Sequence, residues 1–133
     1  MGTWEQLAVF TRAWKAGRLA TRIYAAVPLN TWDRLKMVAQ SNQYGPGGRG
    51  DSWLRIGGLK GFMDGSAGSR TAYFFEPFSD SAGYRGMMLQ PESDMRAWIG
   101  GADSAGLQLA VHAIGDRANA ILLAIYDSVA RAH

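Results

Sequence analysis

Two stretches constrain the fold of this chain more than any other part of its sequence. Residues 59–72 and 111–118 each begin as a short apolar run and end in glycine and polar residues. This pattern is typical of a buried parallel strand that opens into a loop at its carboxyl end. Because α/β proteins keep their reactive groups at that edge of the sheet, the pattern suggests that Lys60 and His112 face one pocket.

The rest of the chain alternates between helical and strand patterns. Helices are predicted over 3–17, from 30, over 91–106 and over 116–132, and strands over 19–27, 53–62 and 107–113. Thr3 followed by Gln6 matches a capping box, and Asp33 stands in a similar place after Asn30 and Thr31. This order predicts an α/β fold with right-handed crossovers and a parallel sheet.

The chain is predicted to form a single α/β domain over residues 1–133, with mobile loops near 41–52 and 64–90. A loop as long as the second is more often a functional lid than filler. A parallel sheet of only three strands leaves unpaired backbone groups at both edges. We therefore expect the missing neighbours to come from a larger α/β protein or from another copy of this chain.

Composition excludes disulfide bonds and metal sites with cysteine ligands. The 133 residues include no cysteine, so a metal would need His, Asp, Glu or a modified lysine as ligands. No apolar run approaches the about 18 residues of a membrane span, and the start lacks a signal-peptide pattern, which predicts a soluble cytoplasmic protein. The net charge of +3 comes from scattered cations, so neither a nucleic acid nor a membrane is the expected partner.

Residues 58–74 and 106–119 resemble signature segments of the amidohydrolase superfamily, in the branch of YtcJ-like proteins and N-substituted formamide deformylases. The resemblance covers the whole chain but only the middle of the family's domain. It implies a partial (β/α)8 barrel and a metal-dependent hydrolase that cleaves amide or formamide-type C–N bonds through a metal-bound hydroxide. The implied partner is a small amide-type substrate, and the implied cofactor is a divalent metal, with zinc favoured.

The resemblance assigns metal ligands to two positions. Lys60 matches the family's fourth-strand ligand, which would have to be carboxylated to bind a cation, and His112 matches the fifth-strand histidine. Without the resemblance, Lys60 pairing with Asp64 and His112 as a satisfied core residue are the alternatives. The family's other histidines and its eighth-strand aspartate have no counterpart here, so the chain is expected to be inactive alone.

Four further residues are candidates for substrate binding or for supporting the ligands. Asp64, Ser66 and Arg70 lie in the loop after the second strand, where they would hold a carbonyl or anionic group. A loop whose polar groups satisfy one another is the alternative. Asp116 is expected to cap the last helix, and the alternative is that it orients a ligand histidine.

Two other functions stay open at this level. One is a non-catalytic module that self-associates through its open sheet edges. The other, less favoured, is a small anion- or nucleotide-binding domain that uses residues 65–70 as an anion nest. No Walker or G-x-G-x-x-G pattern supports the second of these.

Overall fold

The computed structural model describes residues 2–45 and 47–132 and shows a three-stranded sheet in the order β1-β2-β3. The elements in chain order are α1 (Trp4–Lys15), β1 (Ile23–Pro28), a short 3-10 helix (Leu29–Thr31), α2 (Trp32–Gln40), β2 (Leu54–Phe62), α3 (Glu92–Ser104), β3 (Leu109–His112) and α4 (Asp116–Ala130). The predicted α/β class and element order are confirmed. The strands are shorter than predicted, since β1 begins only at Ile23 and β3 only at Leu109.

The three strands are parallel. β1 and β2 pair from Ile23 opposite Leu54 to Pro28 opposite Lys60, with an irregularity after Ala25. On the other side, the Leu59 amide donates to Gln108 at 2.9 Å and the Met63 amide donates to His112 at 2.8 Å. Because this offset stays constant along the chain, β2 and β3 run in the same direction and end at the same edge of the sheet.

By internal contacts the chain divides into two compact units, each with its own buried side chains. The first unit comprises residues up to 60 together with 101–110, and the second comprises 61–100 together with the chain from 111 onward. The large buried side chains of the first unit include Leu7, Leu29, Leu35, Leu54, Ile56 and Leu59. Those of the second unit include Met63, Met95, Ile99, Leu122 and Ile125.

The helix starts show one correct and one wrong capping prediction. At α1, the Thr3 hydroxyl accepts from the Gln6 amide and the Gln6 side chain accepts from the Thr3 amide, which confirms the capping box. At α2, the Thr31 hydroxyl instead donates to the Pro28 carbonyl and accepts from the Trp4 indole. The predicted cap at α2 is therefore absent, because a turn of 3-10 helix and an indole use that hydroxyl.

Helix α3 passes without a break through two consecutive glycines. A Cβ at Gly101 would lie 2.4 Å from the Trp32 indole, whereas one at Gly100 would meet only Val129 at 3.9 Å. Gly101 therefore allows an indole to approach the helix backbone closely, at some cost in helix propensity. The helix ends before Gly106, which has a φ of +65°.

The two predicted loops contain no helix or extended strand in their described residues. In 41–45 and 47–52 the only regular pairing is an isolated bridge between Gly50 and Arg55. The Arg49 guanidinium donates to the Ile56 and Gly57 carbonyls, and Asp51 accepts from two amides at the start of β2. Irregular structure is thus confirmed, and mobility stays a prediction.

Residues 64–90 are likewise irregular, with an isolated bridge between Asp64 and Met88. The Leu89 amide donates to the Met63 carbonyl at 2.8 Å, so the loop returns to the end of β2.

None of the helices in the described part of the chain is long and apolar enough to cross a bilayer.

Candidate functional site

His112 is the last residue of β3, and its imidazole lies beside the segment that follows β2. Its Nε2 atom lies 2.7 Å from the Gly65 carbonyl oxygen, within hydrogen-bonding distance. The ring also packs at a 44° tilt against Phe62, with 5.4 Å between ring centroids. All these residues belong to the second unit, and 28% of the His112 side chain is exposed. The imidazole is therefore held in one orientation and still reaches solvent.

The partner of Nε2 determines which imidazole nitrogen is free. A carbonyl oxygen only accepts hydrogen bonds, so the neutral ring carries its proton on Nε2 and donates it to Gly65. The Nδ1 atom then keeps its lone pair. A neutral imidazole with one anchored nitrogen and one lone pair is the form in which histidine binds a metal.

Asp64 is the one charged side chain among the described residues that is buried completely, with 0% exposure. Its Oδ2 atom accepts from the Tyr73 and Gly115 amides, both at 2.8 Å, and its Oδ1 atom accepts from the Ile114 amide at 3.0 Å. Its Oδ1 atom also lies 3.8 Å from the His112 Nε2 atom. Three backbone donors offset the cost of burying a carboxylate, so Asp64 joins two loops at the end of the sheet.

The carboxylate of Asp64 faces backbone amides and is closed to solvent, which distinguishes it from the other loop candidates. Direct contact with a substrate would require those hydrogen bonds to break. The geometry instead places Asp64 next to the proposed ligand His112. Asp64 was predicted either to bind substrate or to support the metal ligands. This arrangement favours the supporting role, which stays a prediction.

Lys60 lies near the end of β2, opposite Pro28, and is half-buried. It belongs to the first unit, whereas His112 belongs to the second. The prediction that the two side chains face one pocket therefore stays a prediction. Among residues 2–45 and 47–132, no three His, Cys, Asp or Glu side chains come together as a potential metal site.

The loop after Gly65 satisfies its own polar groups. The Ser69 hydroxyl is hydrogen-bonded to the Ser66 hydroxyl at 2.8 Å and to the Thr71 hydroxyl at 2.7 Å. Arg70, which has a φ of +56°, forms an exposed ion pair with Asp80 at 2.6 Å. This is the self-satisfied alternative named for Ser66 and Arg70, and it lends no support to an anion nest. Their substrate-binding role stays a prediction.

Asp116 begins α4, but the N-cap position belongs to Gly115. The expectation that Asp116 is the cap is therefore wrong by one residue. Its Oδ1 atom accepts from the Arg117 amide at 2.7 Å and from the Phe75 amide at 2.9 Å. The carboxylate thus binds a first-turn amide, as a cap would, and also anchors the long loop to the helix.

The sequence did not reveal the backbone part of this site. The Gly65 carbonyl that fixes His112 and the amides that bind Asp64 carry no side-chain signal. One sequence feature pointed near them, since glycine follows Asp64 directly and also precedes Asp116. A Cβ at Gly115 would lie 1.9 Å from the Tyr73 carbonyl oxygen, so this glycine permits the close approach of the two loops.

Comparison with known proteins places the chain in a family. The amidohydrolase family model matches residues 3–133. "Protein LONG AFTER FAR-RED 3" of Arabidopsis thaliana is 34% identical over 99% of this chain and 23% of its own length. The "Putative amidohydrolase YtcJ" of Bacillus subtilis (strain 168) is 28% identical over 84% of this chain and 20% of its own length.

Two crystal structures of uncharacterized metal-dependent hydrolases superpose on most of the chain. The protein from Pyrococcus horikoshii OT3 has a TM-score of 0.78 and 28% identity, covering 95% of this chain and 25% of its own. The protein from Pyrococcus furiosus has a TM-score of 0.79 and 30% identity, covering 96% of this chain and 26% of its own. The chain thus spans about a quarter of these relatives, belongs to the amidohydrolase family and folds as part of its (β/α)8 barrel.

Proposed function

We propose that this chain is part of a metal-dependent hydrolase that cleaves C–N bonds of amides or N-substituted formamides. Family membership supports hydrolysis, and two structural neighbours are described as metal-dependent hydrolases. We propose zinc as the metal. Since the chain spans only about a quarter of its relatives and matches the family's ligand positions only at Lys60 and His112, we propose that it has no activity alone.

The observation that carries this proposal is the orientation of His112. Its Nε2 atom is engaged by the Gly65 carbonyl, so the nitrogen available to a metal is Nδ1. Partial exposure of the side chain leaves room for a ligand to approach. We therefore propose His112 as a metal ligand through Nδ1, with its protonated nitrogen held by a backbone acceptor as in other metal-binding histidines.

Lys60 is proposed as a second ligand on the resemblance alone. Its ammonium group would first have to react with carbon dioxide, which converts a cation into an anionic oxygen donor. A divalent metal bound by such ligands supplies Lewis-acid activation of water and of the substrate carbonyl. Labelling the protein with 13C-bicarbonate should give a carbamate carbon signal that K60A lacks.

The His112 proposal is tested in the full-length polypeptide that contains this segment. The variants are H112A and, as a matched control, H133A, which removes the chain's second histidine. We expect H112A to weaken zinc binding by more than the about 10–100-fold typical of losing a ligand's hydrogen-bond partner, and to abolish formamide hydrolysis. H133A should retain both properties. Unchanged zinc content and rate in H112A would refute the assignment.

Self-association of the isolated chain is a second candidate, favoured by one feature of the first unit. β1 is an outer strand of the described sheet, and a groove of about 470 Å³ runs between it and α1. Exposed apolar side chains in that groove include Val9 (51%), Phe10 (36%) and Tyr24 (69%). We propose that a second copy covers this surface, which predicts a dimer in sedimentation and a monomer for Y24E.

A further inference from the structure

The carboxylate of Asp64 spans the two chain segments that determine where His112 points. One segment is Asp64 with Gly65, whose carbonyl accepts the Nε2 proton of His112. The other is Ile114 with Gly115, whose amides donate to Asp64 two and three residues after His112. A single buried side chain therefore connects the residues on both sides of the imidazole.

The energetics make this connection rigid. A carboxylate with 0% exposure has lost its water and needs fixed donors in its place, and here the donors are backbone amides at 2.8–3.0 Å. Removing any of these amides would leave a buried charge short of partners, so the loops have little freedom to separate. The third amide, from Tyr73, closes the loop that follows Gly65 back onto the same carboxylate.

We propose that Asp64 is a positioning residue that sets the orientation and tautomer of His112. Because its carboxylate binds the Ile114 and Gly115 amides while its own backbone continues directly into Gly65, Asp64 keeps the Gly65 carbonyl against Nε2. The proton then stays on Nε2 and the lone pair stays on Nδ1. This positioning role deepens the proposed function. Its consequence for metal binding rests on that proposed function, whereas the effect of Asp64 on the imidazole does not depend on any metal.

The substitution D64N tests this role with little change in volume. An asparagine side chain replaces one accepting oxygen by an NH2 group, which would face a backbone N–H donor. At least one loop must therefore move away from position 64. We expect the Gly65 carbonyl to shift with it, so that His112 adopts a mixture of Nε2–H and Nδ1–H tautomers.

The control is D51N in the first unit. Asp51 also uses its carboxylate to accept two backbone amides, those of Trp53 and Leu54. In D51N the remaining carbonyl oxygen can still accept both amides, and the new NH2 group faces the Trp14 indole N–H instead. The control therefore makes the same chemical change at a position outside the second unit. It should lower stability and leave His112 unchanged.

The primary readout is the 15N spectrum of histidine-labelled protein at a pH where the imidazole is neutral. We expect Nε2–H as the single tautomer of His112 in the wild type and in D51N, and a mixture in D64N. Zinc affinity of the full-length polypeptide should fall by about 10–100-fold in D64N and stay constant in D51N. Destabilised D64N with an unchanged tautomer and unchanged zinc affinity would show a purely structural role and overturn the proposal.

A second measurement decides the question if D64N does not fold. In the wild type, couplings across hydrogen bonds should join the amide nitrogens of Tyr73, Ile114 and Gly115 to the Asp64 carboxyl carbon. Their absence, or an Nδ1–H tautomer of wild-type His112, would overturn the proposal. A tautomer that depends on Asp64 together with normal zinc binding by H112A would retain the positioning role and refute only the metal assignment.

Discussion

Gly115 is a position where one added methyl group should strongly disturb the site. It follows β3, occupies the N-cap of α4 and donates its amide to Asp64 at 2.8 Å. Its φ of −65° is open to any residue, so backbone strain is not the obstacle. The obstacle is space, because a Cβ there would lie 1.9 Å from the carbonyl oxygen and 2.3 Å from the carbonyl carbon of Tyr73.

The expected cost of G115A follows from what must move. Backbone atoms of Tyr73 cannot rotate away as a side chain would, so overpacking should cost about 1–3 kcal/mol. Displacing either loop also weakens a hydrogen bond from a backbone amide to the buried Asp64. Losing such a bond to a charged acceptor costs about 1.5–3 kcal/mol of stability. Reduced freedom of the unfolded chain returns about 0.4–1 kcal/mol. We therefore expect a net destabilisation of about 2–5 kcal/mol.

Urea unfolding, followed by circular dichroism and by tryptophan fluorescence, measures this change. The matched control is G68A in the loop after β2, where an added Cβ would meet no atom within 4 Å. G68A should lie within about 0.5 kcal/mol of the wild type. Equal unfolding free energies for G115A and G68A would refute the reasoning that the close approach of Tyr73 to Gly115 is required.

Three further outcomes are expected. G100A should stabilise helix α3 by about 0.5–1 kcal/mol, whereas G101A should destabilise the protein because overpacking against Trp32 costs about 1–3 kcal/mol; equal urea midpoints would contradict this. Hydrogen bonds from backbone amides, with that of residue 53 the largest cause, lower the pKa of Asp51 below its usual range. The difference in unfolding free energy between the wild type and D51N should therefore reach its full value above pH about 4. It should disappear as the pH falls through the lowered pKa, as urea titrations at several pH values would show. Burial raises the pKa of Tyr126, so the folded state resists its ionisation and stability should fall as the pH rises above about 10, less steeply in Y126F.

The sequence predicted the elements well because their signals are local. Helical spacing and the Thr3–Gln6 capping box identified α1, and the apolar runs around Leu59 and Val111 identified β2 and β3. The failure at α2 has a non-local cause. There the Trp4 indole, 27 residues away, donates to the hydroxyl of Thr31, the residue at the observed N-cap.

The candidate site was predicted less completely, because backbone groups build much of it. His112 and Asp64 were identified as candidates from their positions after apolar runs together with the resemblance to the amidohydrolase superfamily. Their relationship was not, because it depends on amides and a carbonyl whose direction is set by loops. Arg70 shows the converse, since its charge suggested a ligand contact and the fold pairs it with Asp80, ten residues further on.

The contacts of His112 show that the orientation of this proposed metal ligand and the completion of a metal site depend on different parts of the protein. Every contact described for His112, from Phe62, Asp64 and Gly65, lies within the second unit. A local set of hydrogen bonds can therefore fix the tautomer of His112 before any metal is present. Coordination needs about three protein ligands, which the described residues do not assemble from His, Cys, Asp or Glu. The full-length polypeptide should consequently differ from this segment far more in its affinity for zinc than in the tautomer of His112.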